Sequence, residues 1–170
     1  MISTSAAWIA LFMFSGSMIF AGLKDMTTMT ISNRLVLLLV GAYLVLAPAA
    51  GISVEAITFS MLAAAAVLAI TFVLFAFGWI GGGDAKLAAV AVLWLGSGLT
   101  LDYVLYASIC GTFLTLALLQ YRRMALPALL DGLEWPRRLH ARDAGVPYGV
   151  ALAMAALLLL PESHWLAALL

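Results

Sequence analysis

Residues 54–79 read VEAITFSMLAAAAVLAITFVLFAFGW, a run of 26 residues in which Glu55 is the single charged side chain. About 20 apolar residues at 1.5 Å rise cross the hydrocarbon core of a bilayer, so this run is long enough to span one as a helix. The rest of the chain has the same character. Of its 170 residues 66% are hydrophobic and 9% charged, and the mean hydropathy is +1.16. A water-soluble domain of this length keeps much of its chain exposed and needs a far larger polar fraction, so an ordinary soluble enzyme is excluded. Eight basic residues balance eight acidic ones, which also removes nucleic acid as a partner, since that requires a basic excess gathered on one face. The fold class is all-α: a polytopic membrane protein.

Working outward from residues 54–79, further apolar runs lie at about 6–23, 35–50, 87–101, 103–121 and 146–160, the last with a possible continuation past Pro161. This predicts a bundle of six transmembrane helices in one domain over residues 1–170. The runs at 35–50 and 87–101 fall short of 20 residues, as expected of helices that start in interfacial or protein-lined surroundings. The first run lacks a basic segment before it and is followed by further spans, so it reads as a retained helix and not as a cleaved signal. Lys24 and Arg34 fall in the first loop, Lys86 in the third, and Arg122, Arg123, Arg137, Arg138 and Arg142 in the fifth. Basic residues in short loops mark the cytoplasmic side. Odd-numbered loops are therefore expected in the cytoplasm and both termini in the periplasm. The fifth loop, about 122–145, mixes arginines with Leu126, Leu129, Leu130, Leu133 and Trp135. It reads as a solvated loop with a short interfacial helix in preference to a docking surface for substrate or anionic lipid.

Scarcity of polar groups makes elimination productive. His140 and His164 are far apart and assigned to opposite sides, so a zinc-binding His-Glu-x-x-His face is absent. No serine sits in a Gly-x-Ser-x-Gly elbow. Cys110, the single cysteine, falls mid-span with no histidine to ionise it. Among the carboxylates, Glu55, Asp102 and Glu162 fall on the outer side, each beside the start of a span or a tail, where a solvated helix-cap role explains them, and Asp131, Glu134 and Asp143 lie among arginines. Asp25 and Asp84 differ, since each sits at the cytoplasmic end of a span and the two could meet at one depth. Gly81, Gly82 and Gly83 directly precede Asp84, and such a run suggests a loop whose backbone freedom admits an extended peptide. Two carboxylates held close share a proton, so that one is base and the other acid, a division of labour suited to peptide hydrolysis without a metal or cofactor.

Gly81-Gly82-Gly83-Asp84-Ala85-Lys86 resembles the Gly-x-Gly-Asp signature of aspartyl membrane proteases. Asp25 with Ile31-Ser32-Asn33 is similar to the first-aspartate segment of type IV prepilin peptidases, and Val146-Pro147-Tyr148-Gly149 resembles the Pro-aromatic-Gly element of that family. Thr28, Met29 and Thr30 stand where relatives often carry basic residues, and Ser32 where proline is common. The resemblance implies Asp25 and Asp84 as the catalytic pair. Gly81 and Gly83 would shape the site, with Lys86, Asn33, Pro147, Tyr148 and Gly149 beside it. It further implies cleavage of a prepilin leader at the cytoplasmic face of the bacterial inner membrane, with the pilin's hydrophobic helix and membrane lipid as partners. One cysteine leaves no zinc-binding pairs, so the chain looks like the short form associated with Flp pili, without a methylation domain. A presenilin-like intramembrane protease with another substrate and a small cation-coupled transporter are the alternatives; a transporter would be expected to show an internal repeat and acids nearer mid-membrane.

Overall fold

The computed structural model describes residues 2–126, 132–141, 143–167 and 169. The described residues are helical apart from their connections: α1 Ile2–Thr28, α2 Asn33–Ala49, α3 Val54–Ala76, α4 Gly82–Leu95, α5 Thr100–Tyr121, α6 Glu134–His140, α7 Tyr148–Leu159 and α8 His164–Ala167, with 3₁₀ turns at Ser97–Leu99 and Leu160–Glu162. Among the described residues, four stretches are long and apolar enough to cross a membrane, Ser3–Thr28, Val54–Ala76, Ser97–Tyr121 and Tyr148–Leu166.

The short helix α4 is the centre of the bundle. Every residue from Leu87 to Leu95 is buried, because α4 is apolar on all sides and α2, α3 and α7 pack around it. A helix of 14 residues is about 21 Å long; enclosed by protein, it has no need to match the thickness of lipid. The outer helices show the opposite pattern. α3 buries Ser60 and Val67 while Phe59, Leu62, Ile70 and Phe72 are exposed, as are Leu105 and Phe113 on α5. An apolar outer surface of this extent marks contact with lipid.

The C-terminal end of α4 is fixed by aromatic packing. Trp94 stacks on Phe14 of α1 and on Trp165 of α8, each at 5.1 Å between ring centroids, and Tyr43 of α2 meets both tryptophans edge-on. Both indole N–H groups are satisfied: Trp94 Nε1 donates to the Leu39 carbonyl at 3.0 Å, and Trp165 Nε1 to the Trp94 carbonyl at 2.7 Å. Gly96 ends the helix at φ +98°, where a Cβ would lie 2.7 Å from His164 Nδ1, so the position requires glycine on both counts. At the other end of α4 lie the C-terminus of α1 and the starts of α2 and α7.

The six apolar runs of the sequence correspond to α1–α5 and α7, with three corrections. α1 continues past residue 23 to Thr28, so Lys24 and Asp25 belong to a helix and not to the first loop; Arg34 and Lys86 likewise stand in the first turns of α2 and α4. The fourth helix starts at Gly82 and stops at Leu95, not at 87 and 101, because Gly96 breaks it. The sixth, expected from 146, starts at Tyr148, and its continuation past residue 160 is a 3₁₀ turn followed by α8. Ser32 is the N-cap of α2, and its hydroxyl accepts from the Arg34 N–H at 3.3 Å. Leu129, Leu130, Asp131 and Arg142 of the fifth loop lie outside the described residues.

Candidate active site

Asp84 occupies the first turn of α4, and its carboxyl group folds back towards the cap residue Gly81, where a Cβ would lie 2.8 Å from Asp84 Oδ2. Asp84 is the third residue of the helix, where a carboxylate is favourable beside the unpaired N–H groups of the first turn. The carboxyl group is also half-buried and lines an apolar cavity of about 270 Å³ between α3, α4, α5 and α7, with Thr71, Ile80, Tyr103, Ser108, Tyr148 and Leu152 among the walls. The negative field of Asp25 falls on it, so the two carboxylates occupy one electrostatic neighbourhood at one end of the bundle.

Asp25 is 5% exposed, and Oδ2 accepts the Gly149 backbone N–H at 2.8 Å. That bond joins α1 to the first turn of α7, and Pro147 before it is buried. A Cβ at residue 149 would lie 2.7 Å from Asp25 Oδ2 and 2.9 Å from Ile31 Cδ1. Only glycine allows the backbone so near the carboxylate. Ile31 also faces the other aspartate's helix, since a Cβ at Gly83 would stand 3.1 Å from Ile31 Cβ. The Ile31 side chain thus packs between Gly83, next to Asp84, and Gly149, whose N–H is held by Asp25.

The glycine run needs a correction. Gly82 and Gly83 are the opening residues of α4 and not a loop, Gly81 is its extended cap, and none of the three has a positive φ. Close approach explains them instead: a Cβ at 81 would lie 2.8 Å from Asp84 Oδ2, and one at 82 would lie 3.2 Å from the Phe75 ring. Lys86 and Asn33 are exposed and joined to each other, Lys86 Nζ donating to Asn33 Oδ1 at 2.9 Å, which ties α4 to α2 beside the aspartates. Tyr148 is 42% exposed; its ring covers Gly111 of α5 and its hydroxyl lies 3.4 Å from Thr115 Oγ1. All nine residues singled out in the sequence therefore stand at one end of the bundle. Tyr103 and Ile80 were not among them: both line the cavity with Asp84, and an apolar or aromatic residue within a span carries no mark that separates it from packing. Among the described residues, no three His, Cys, Asp or Glu side chains gather where they could hold a metal ion.

The sequence model of the type IV leader peptidase family matches residues 12–116, a segment that contains Asp25, Asn33, the glycine run, Asp84 and Lys86. The chain belongs to the type IV leader peptidase family. It is a protease by that membership, and its apolar helices make it a membrane protein. Pro147, Tyr148 and Gly149 lie beyond the segment matched to the leader peptidase family. No curated protein and no solved structure matches the chain.

Proposed function

We propose that this leader peptidase is an aspartyl endopeptidase of the inner membrane that removes the leader of Flp-type prepilins at the cytoplasmic face, with Asp25 and Asp84 as its catalytic pair. The observation that carries the reading is the convergence of the two acids. They come from different helices, Ile31 packs both against Gly83 beside Asp84 and against Gly149, which bonds Asp25, and Asp84 opens onto an apolar cavity. Ionisable side chains at membrane depth are rare and are kept for function, and a pair of carboxylates sharing one proton suits amide hydrolysis.

In this mechanism the ionised member of the pair takes a proton from a water molecule while the water oxygen attacks the scissile carbonyl carbon. The protonated member donates a hydrogen bond to the carbonyl oxygen as it gains charge. Collapse of the tetrahedral intermediate breaks the C–N bond, with a proton delivered to the departing nitrogen. The cavity walls offer apolar contact for the residues flanking the scissile bond, and the exposed apolar faces of α3 and α5 leave it approachable from lipid. The placement of the seven described basic residues, Lys24, Arg34, Lys86, Arg122, Arg123, Arg137 and Arg138, on the aspartate side of the bundle supports a cytoplasmic site.

Asp25→Asn and Asp84→Asn, each in the full chain co-expressed with a Flp-type prepilin, are expected to abolish leader removal while leaving the protein in the membrane at wild-type amounts. Continued cleavage by either variant would remove that residue from the pair. Processing of an unrelated transmembrane peptide but of no prepilin would reassign the substrate and keep the chemistry.

A further inference from the structure

Arg122 closes α5, and its guanidinium group holds three backbone carbonyls. Nε donates to Leu139 at 2.8 Å, and Nη2 donates to Ala144 at 2.9 Å and to Gly145 at 2.8 Å. Leu139 is in α6, whereas Ala144 and Gly145 belong to the extended segment that enters α7. A planar fork with several fixed donors can bridge two segments in this way, and a lysine ammonium cannot reproduce that geometry.

From Gly145 the path to the candidate site is short and stiff. The Tyr148 N–H bonds the Val146 carbonyl at 2.8 Å, closing a three-residue turn around the buried Pro147, whose φ is set by its ring. The next N–H, of Gly149, is the one donated to Asp25 Oδ2. A second strut fixes the other side of the contact: Arg138 Nη1 of α6 donates to the carbonyl of Thr27, two residues after Asp25. The segment matched to the family ends at residue 116, so membership assigns no part to Arg122. Read from the sequence it is one of the five arginines of the fifth loop among the eight basic residues that orient the chain.

We infer that Arg122 is a positioning residue for Asp25: by clamping residues 144–145 against α5 and α6 it places the Gly149 N–H on the Asp25 carboxylate. Its part in catalysis rests on the aspartyl reading above, but the clamp itself is a property of the fold and has its own readout. Arg122→Ala and Arg122→Lys, with Arg123→Ala as the exposed neighbouring control, are to be purified in full-length form and compared by hydrogen exchange and by cleavage of a Flp-type prepilin in proteoliposomes. Both Arg122 variants are expected to exchange the amides of Val146 and residues 148–151 at least roughly 10-fold faster, with α1 and α4 unchanged, and to lower kcat by roughly 10- to 100-fold at constant KM; Arg123→Ala changes neither. Unchanged exchange over 146–151, or faster exchange with wild-type kcat, overturns the inference. So does full recovery by Arg122→Lys, which would reduce the role to charge. Should the wild-type protein cleave no prepilin, the proposed function fails and the exchange comparison alone decides the clamp, wild-type rates in Arg122→Ala overturning it.

Discussion

At Gly149 a single hydrogen atom in place of a side chain lets a backbone donor reach a buried carboxylate, and this contact gives the clearest residue-scale test of the site. A methyl group there would stand 2.7 Å from Asp25 Oδ2, closer than any real contact, so Gly149→Ala forces α1 and α7 apart or turns the carboxylate away. Displacements of about 1 Å at a reacting group cost on the order of 100-fold in rate. Gly149→Ala is expected to lose about that much cleavage activity while still inserting into the membrane, as read by prepilin processing against immunodetected protein. Gly41 supplies the contrast. It lies within α2 with nothing within 4 Å of its would-be Cβ, so Gly41→Ala is expected to leave activity unchanged and to raise stability by about 0.5–1 kcal/mol through helix propensity, measured by thermal unfolding in detergent. Asp25 and Asp84 could be singled out as candidates in the sequence because acids are so few in this chain. The donor that holds Asp25 could not, since a backbone N–H is carried by nearly every residue and only the fold selects one.

The element that organises the molecule is α4, whose N-terminus presents Asp84 and whose C-terminus is anchored by aromatic rings. Its shortness was visible as an apolar run below spanning length, which pointed to protein-lined surroundings. Its ends were not visible. Three glycines suggest a loop by propensity, yet enclosure by α2, α3 and α7 makes helix the form in which buried backbone groups are satisfied, and the helix therefore starts at Gly82. Trp94 tests the anchor. Trp94→Phe keeps a ring between Phe14 and Trp165 but removes the donor to the Leu39 carbonyl, a cost of about 1 kcal/mol. Trp94→Ala empties the cluster and is expected to cost roughly 3–5 kcal/mol. Both losses arise at the end of α4 remote from the aspartates, so unfolding in detergent should show the graded destabilisation while kcat per folded molecule stays at the wild-type value. A fall in kcat with Trp94→Phe would mean that strain travels the length of α4 to Asp84.

For the whole molecule the decisive pattern is the separation of charge. Lys24, Arg34, Lys86, Arg122, Arg123, Arg137 and Arg138 stand at the aspartate end of the helices or in its connections, while the opposite end carries Glu55, Asp102 and Glu162. Number and order of the apolar helices were readable because lipid restricts composition so strongly. Packing between them was not, because residues facing lipid and residues facing protein are equally apolar: exposed Phe72 and buried Phe14 look alike in the sequence. Orientation is the property on which the proposed cytoplasmic cleavage depends, and Cys110, the single cysteine, makes it measurable. In a Cys110→Ser background, Arg123→Cys introduces a thiol at the aspartate end and Val54→Cys one at the opposite end, where Val54 is 80% exposed. Basic residues hold their loops on the cytoplasmic side, so a membrane-impermeant thiol reagent applied to intact spheroplasts is expected to label Val54→Cys and to reach Arg123→Cys only after lysis. The reverse pattern would place the two aspartates on the outer face, where a leader removed at the cytoplasmic face could not be their substrate.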